Sequence, residues 1–230
     1  MFIGHYAVGL AAKKASPGTS LGTLFLSAQF LDLLWPVLLL LGVEHVRIAP
    51  GTTAVTPLDF YDYPFSHSLA MVAGWAVALG GVYFGVRRNF RGAAVVAGCV
   101  LSHWILDATV HRPDLPLVPG GSVLIGLELW RSVSATVAVE GAMFILAVLV
   151  YCRGTAALDR IGRYALGALV AFLLVSYAAN LFGPPPPSLA AVEWGSLAAW
   201  IFVPWAAWID RHRRMRTAPV ALASGVRARL

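Results

Sequence analysis

Apolar residues run along this chain in long blocks separated by short polar turns. Six blocks approach the roughly 20 residues that a helix needs to cross a bilayer: 21–41, 68–86, 92–110, 132–151, 164–182 and 194–209. The first is interrupted by Asp32 and by Trp35-Pro36, where a kink is expected. The second is free of charge and meets the third through Arg87-Arg88-Asn89-Phe90-Arg91. The third carries His103 and Asp107, and the fourth a single acid, Glu140. The fifth is clean and stops at Pro184 to Pro187, which remove N–H donors. The last closes on Asp210-Arg211-His212-Arg213-Arg214.

Residues 1–12 are apolar apart from His5 and precede Lys13-Lys14, the reverse of a signal peptide's charge order. They are short for a span, so the pattern predicts a half-length helix entering from the outer side, with an interfacial helix as the alternative. Ser66 is expected to N-cap the second span. The fold class is therefore an all-α, polytopic integral membrane helix bundle. It has six full transmembrane helices plus a short N-terminal half-helix, in one domain over 1–216, with a flexible cytoplasmic tail at 217–230.

Composition agrees. The chain is 59% hydrophobic and 12% charged, where a soluble domain has about half and about a quarter. Mean hydropathy is +0.74. These values exclude a disordered chain, a disulfide scaffold and most soluble enzymes. Cys99 and Cys152 give no disulfide framework. The net charge of +6 is a topology signal. Of 17 basic residues only Arg47, Arg112 and Arg131 fall on one side, and the other 14 share the opposite side with the C-terminus. The positive-inside rule makes that side cytoplasmic. Membrane lipids are then the expected partners, with no role for nucleic acid.

Charges and imidazoles at membrane depth mark functional sites. Counting 1.5 Å per residue from the basic ends puts Asp32, His103 and Glu140 roughly 16 Å deep and His5 roughly 12 Å deep. The midplane lies near 15 Å. His103, Asp107 and His111 are spaced i, i+4, i+8 and share one helix face. His67, at the outer start of the second span, can face that stripe. The expected site is a polar cavity open to the outside, with His67, His103 and Asp107 as ligands and Asp32 and His5 as additional ones. Such ligands suit a divalent metal of the Zn, Mn or Fe type, and an open coordination position activates water for hydrolysis. Glu140 is the candidate catalytic group, as general base or as an acceptor orienting a ligating histidine. A cavity bordering lipid favours an amphiphilic small-molecule substrate. His111 is expected at the interface, and Glu44, His45 and Glu128 in solvated outer loops.

Several of these pieces resemble a bacterial family of predicted membrane-bound metal-dependent hydrolases, the inner-membrane type first noticed as LexA-regulated. The resemblance rests on Gly4-His5 followed by Gly9, on Asp32, on Ser66-His67-Ser68, and on Ser102-His103-Trp104-Ile105-Leu106-Asp107. It covers roughly the first half of the chain. It implies a metal-dependent hydrolase in the cytoplasmic membrane of a bacterium. Two departures stand out. Phe30-Leu31-Asp32-Leu33 replaces the family's Pro-Asp-x-Asp, so one carboxylate is missing, and Tyr63-Pro64-Phe65 replaces an Arg-Gly. Two rivals use the same residues: a transporter or proton-coupled carrier, and a structural membrane protein whose polar groups join helices.

Overall fold

The computed structural model describes residues 1–216; the expected tail at 217–230 lies outside the described residues. Ten α-helices follow one another: α1 (Ile3–Ala15), α2 (Leu21–Ala28), α3 (Phe30–Leu40), α4 (Pro64–His67), α5 (Leu69–Arg87), α6 (Phe90–Val110), α7 (Val133–Gly154), α8 (Arg160–Phe182), α9 (Leu189–Leu197) and α10 (Phe202–Arg211). A 3-10 turn, Ala198–Ile201, joins α9 to α10 as one apolar stretch. Among the described residues five helices are long and apolar enough to cross a membrane, and α2 with α3, bent by 58°, makes a sixth if the pair crosses as one span. The helical membrane bundle is as expected, with five to six spans. Its outer wall is apolar, with Val77, Val86, Ile145, Leu146 and Val175 all exposed, the surface that acyl chains cover.

Local chemistry explains most boundaries. Ser20, Asn89, Ser132, Asp159 and Ser188 each accept a hydrogen bond from the N–H three residues on, capping α2, α6, α7, α8 and α9. Arg88, at φ 50°, takes the left-handed conformation that ends α5 and lets α6 return at once. α8 stops at Phe182, just before the proline run.

The structure departs from the sequence expectation in four places. The first span breaks at Gln29 and not at Trp35-Pro36, since Pro36 sits buried within a continuous α3. Ser66 does not cap α5; it lies inside α4, and Ser68 precedes α5 without a side-chain cap bond. Glu44 is buried, at 1% exposure, where a solvated loop residue was expected. The loops also hold three two-stranded antiparallel ribbons: β1 (His45–Ile48) with β2 (Leu58–Asp62), β3 (Leu115–Pro116) with β4 (Leu124–Ile125), and β5 (Thr155–Ala157) with β6 (Arg213–Met215). A bulge interrupts the β1–β2 register between His45 and Arg47. Arg47 and Arg112 both grip Asp59, binding that ribbon to the segment after α6.

α1 decides where the site can form. It is 13 residues long, roughly 20 Å, and packs against α2, α6, α7 and α8. Ile3, His5, Tyr6, Ala7 and Leu10 are all buried. α1 is thus an internal helix and not an interfacial one. Glu140 on α7 accepts the Phe2 and Gly4 N–H groups at 2.9 and 3.3 Å, satisfying first-turn donors that have no partner within the helix.

Candidate metal centre

His5, Asp32, His67, His103 and Asp107 come together at the face where α1, α3, α4 and α6 meet. Two overlapping groups have ligand atoms within 4.8 Å of one another: His5, His103 and Asp107, and Asp32, His67 and His103. All are buried except Asp32, whose side chain is 41% exposed against 2% for Asp107. Asp32 is therefore the carboxylate that meets solvent.

The bend between α2 and α3 orients His103. A continuous helix would commit the Ala28 carbonyl to the N–H four residues on. Here that carbonyl lies 2.7 Å from His103 Nδ1. A carbonyl only accepts, so Nδ1 carries a proton and Nε2 is the nitrogen turned towards the carboxylates. Nε2 is buried, lies 3.1 Å from Asp107 Oδ2 and 3.5 Å from Asp32 Oδ1, and forms no hydrogen bond.

His67 is oriented by a relay through residues whose role the sequence did not disclose. Glu44 accepts the Phe65 and Ser66 N–H groups on Oε1 at 2.7 and 2.8 Å and the Ser66 hydroxyl on Oε2 at 2.6 Å. That hydroxyl has one proton, so its oxygen accepts from His67 Nδ1 at 2.7 Å. His67 Nε2 then lies 3.7 Å from Asp32 Oδ1 and 3.7 Å from Asp107 Oδ2.

Asp107 divides its oxygens. Oδ1 lies 3.0 Å from His5 Nε2 and 2.5 Å from the Met1 amino nitrogen. Oδ2 faces His67 and His103. The His5 ring stacks on His103 with centroids 3.6 Å apart and planes within 4°. His5 thus braces both Asp107 and His103. Glu140 bonds to the first turn of α1, so neither of those bonds reaches a histidine. His111 lies apart, bonded through Nδ1 to Asp114 at 3.0 Å and packed on Trp130.

The chemistry of this donor set fits a cation. Two imidazole Nε2 atoms face two carboxylate oxygens at 3.1 to 3.7 Å. Tetrahedral bonds of 2.0–2.1 Å imply ligand-to-ligand edges of roughly 3.3 Å. Buried groups held this close need positive charge between them, as protons on the rings or as a cation that takes the place of those protons. A cavity of about 600 Å³ reaches the site, with Asp32, His67, Asp107, His111, Glu140 and Tyr63 on its wall. It lies at the end of the bundle that carries the β1–β2 loop and the proline run after α8. No protein-family model, characterised protein or solved structure matches the chain.

Proposed function

We propose that this chain is a membrane-embedded, metal-dependent hydrolase of the kind it resembles, with His67, His103, Asp32 and Asp107 holding a divalent cation of the Zn, Mn or Fe type. The observation that carries this reading is the pair of Nε2 atoms, each oriented by a bond at its own Nδ1, set against two carboxylates. Such a cation polarises a scissile carbonyl or phosphoryl oxygen and makes water nucleophilic at neutral pH. The chain's own groups do the positioning. Asp32, open to the cavity, takes and returns the proton of attacking water. His5 steadies Asp107 from behind, and Glu140 holds the turn of α1 that carries His5. The sorting of basic residues supports a cavity mouth on the outer face, and the resemblance supports a bacterial cytoplasmic membrane.

Elemental analysis of purified protein tests the reading. About one Zn, Mn or Fe per chain is expected for the wild type, with near-background content for His103→Ala and for the milder Asp32→Asn. Equal, negligible metal in all three sinks it. One observation favours a carrier instead: the 58° break between α2 and α3 lies at the site, as in transporters built on discontinuous helices. Uptake driven by a pH gradient in proteoliposomes, and insensitive to chelators, would select that alternative.

A further inference from the structure

We infer that the site acts on a single-chain acyl amphiphile of the membrane, ester- or amide-linked to a polar head, which enters sideways between α8 and α9. The cleavage chemistry rests on the hydrolase reading above; the acyl site does not.

A second cavity, of about 860 Å³, lies between α1, α3, α8 and the α9–α10 stretch. Phe2, Tyr6, Trp35, Phe172, Ile201 and Phe202 give it an apolar wall. It meets the first cavity at shared residues, among them Asp32, Trp35, Asn180 and Gly195. Asp32 is thus both a candidate ligand and the junction between a polar and an apolar compartment. Each compartment falls within the roughly 300–1,000 Å³ of a small-molecule site. An amphiphile spanning them would set its head-to-tail linkage beside the candidate metal centre.

The apolar compartment also has a route to lipid. α9 rests on α3, and α10 is the part of the stretch that packs on α8. Small residues, Gly195, Ser196, Ala198 and Ala199, line the wall at and just before the 3-10 turn. Phe172 and Ile201 line the compartment and are also exposed on the bundle's outer surface, at 50% and 60%. The polar compartment takes the head. It is lined by Asp32, Asp107 and Glu140, with the Met1 amino group beside Asp107.

The reaction balances with water alone. Water oxygen bonds to the acyl carbon, and the carbon–oxygen or carbon–nitrogen bond breaks with its electron pair on the leaving group. A proton from water passes through Asp32 to that group, leaving a fatty acid and an alcohol or amine.

A photoreactive monoacylglycerol with a mid-chain diazirine tail tests the inference on full-length protein in lipid nanodiscs. The monoacylglycerol should label cavity-facing positions near Phe172, Ser176 and Ile201. Gly195→Phe should reduce that labelling roughly tenfold, the equivalent of about two lost methylene contacts. A Cβ at Gly195 meets no atom within 4 Å, so the larger side chain has room to enter the cavity. Ser176→Phe should block from the opposite wall. Labelling spread evenly over Val77, Ile145 and Val175 in every variant overturns the proposal. Metal content measured on the same samples separates the two readings. Cavity labelling without bound metal removes the hydrolase reading and keeps the acyl site; metal without cavity labelling does the reverse.

Discussion

At the scale of single residues, the candidate site depends on protons held in place by distant acceptors. Ser66 is the clearest case, since its hydroxyl joins His67 to the buried Glu44 across 22 positions of sequence. Ser66→Ala should leave His67 free to change tautomer and weaken metal binding by about 10–100-fold, with Ser66→Thr restoring most of it. Competition titration with a zinc indicator measures this; unchanged affinity in the alanine variant would show that the relay is structural only. His103, Asp107, Asp32, His67 and His5 were legible because ionisable groups inside apolar blocks stand out. Glu44 was not legible. It follows an apolar block in an outer segment, where a carboxylate ordinarily meets water, and only the folding back of residues 63–67 buries it.

At the scale of elements, close helix approach and capping set the frame. A Cβ on Gly22 would lie 2.7 Å from both the Val203 carbonyl oxygen and Ala207 Cβ, so α2 and α10 touch there through backbone. Gly22→Ala should destabilise the bundle by about 1–3 kcal/mol, visible as a lower Tm in detergent. Gly141→Ala, where a Cβ meets nothing within 4 Å, should not. Outside the spans, Asp159 caps α8 through the Gly162 N–H at 2.8 Å and lies 2.6 Å from His212 Nδ1. The Gly162 bond first, and His212 second, hold its carboxyl below the ordinary value of 3.8. Its contribution to stability is therefore present above that value and lost as pH falls through the lower folded one. Thermal melts across acidic pH should show wild type losing stability in that window and Asp159→Asn losing less. Equal pH dependence in the two proteins would count against this cap. The break in the first span was legible as an interruption but misplaced, because Pro36 advertises a kink while Gln29 carries no such mark.

At the scale of the whole molecule, orientation follows from charge. With Cys152 replaced by serine, a cysteine at exposed Val123 should react with a membrane-impermeant maleimide on intact cells, and one at exposed Phe90 only after lysis. The opposite pattern would invert the proposed topology and place the cavity mouth inside. α1 is the element whose meaning depends on the whole bundle. Thirteen residues cannot span a bilayer, and their low polarity suits an interfacial helix as well as an internal one. Burial against four other helices selects the internal position and carries His5 onto His103.

The apolar helices long enough to cross a membrane were readable from order alone, because a bilayer acts on each segment separately through its own hydrophobicity. Which ring nitrogens and carboxylates face one another was not readable. That depends on hydrogen bonds between residues far apart in sequence, such as His103 to Ala28 and Ser66 to Glu44, and on a bend whose consequence appears only when α6 packs beside it. Spacing along one helix can put polar groups on a common face, but only packing among helices sets the distances between groups on different ones.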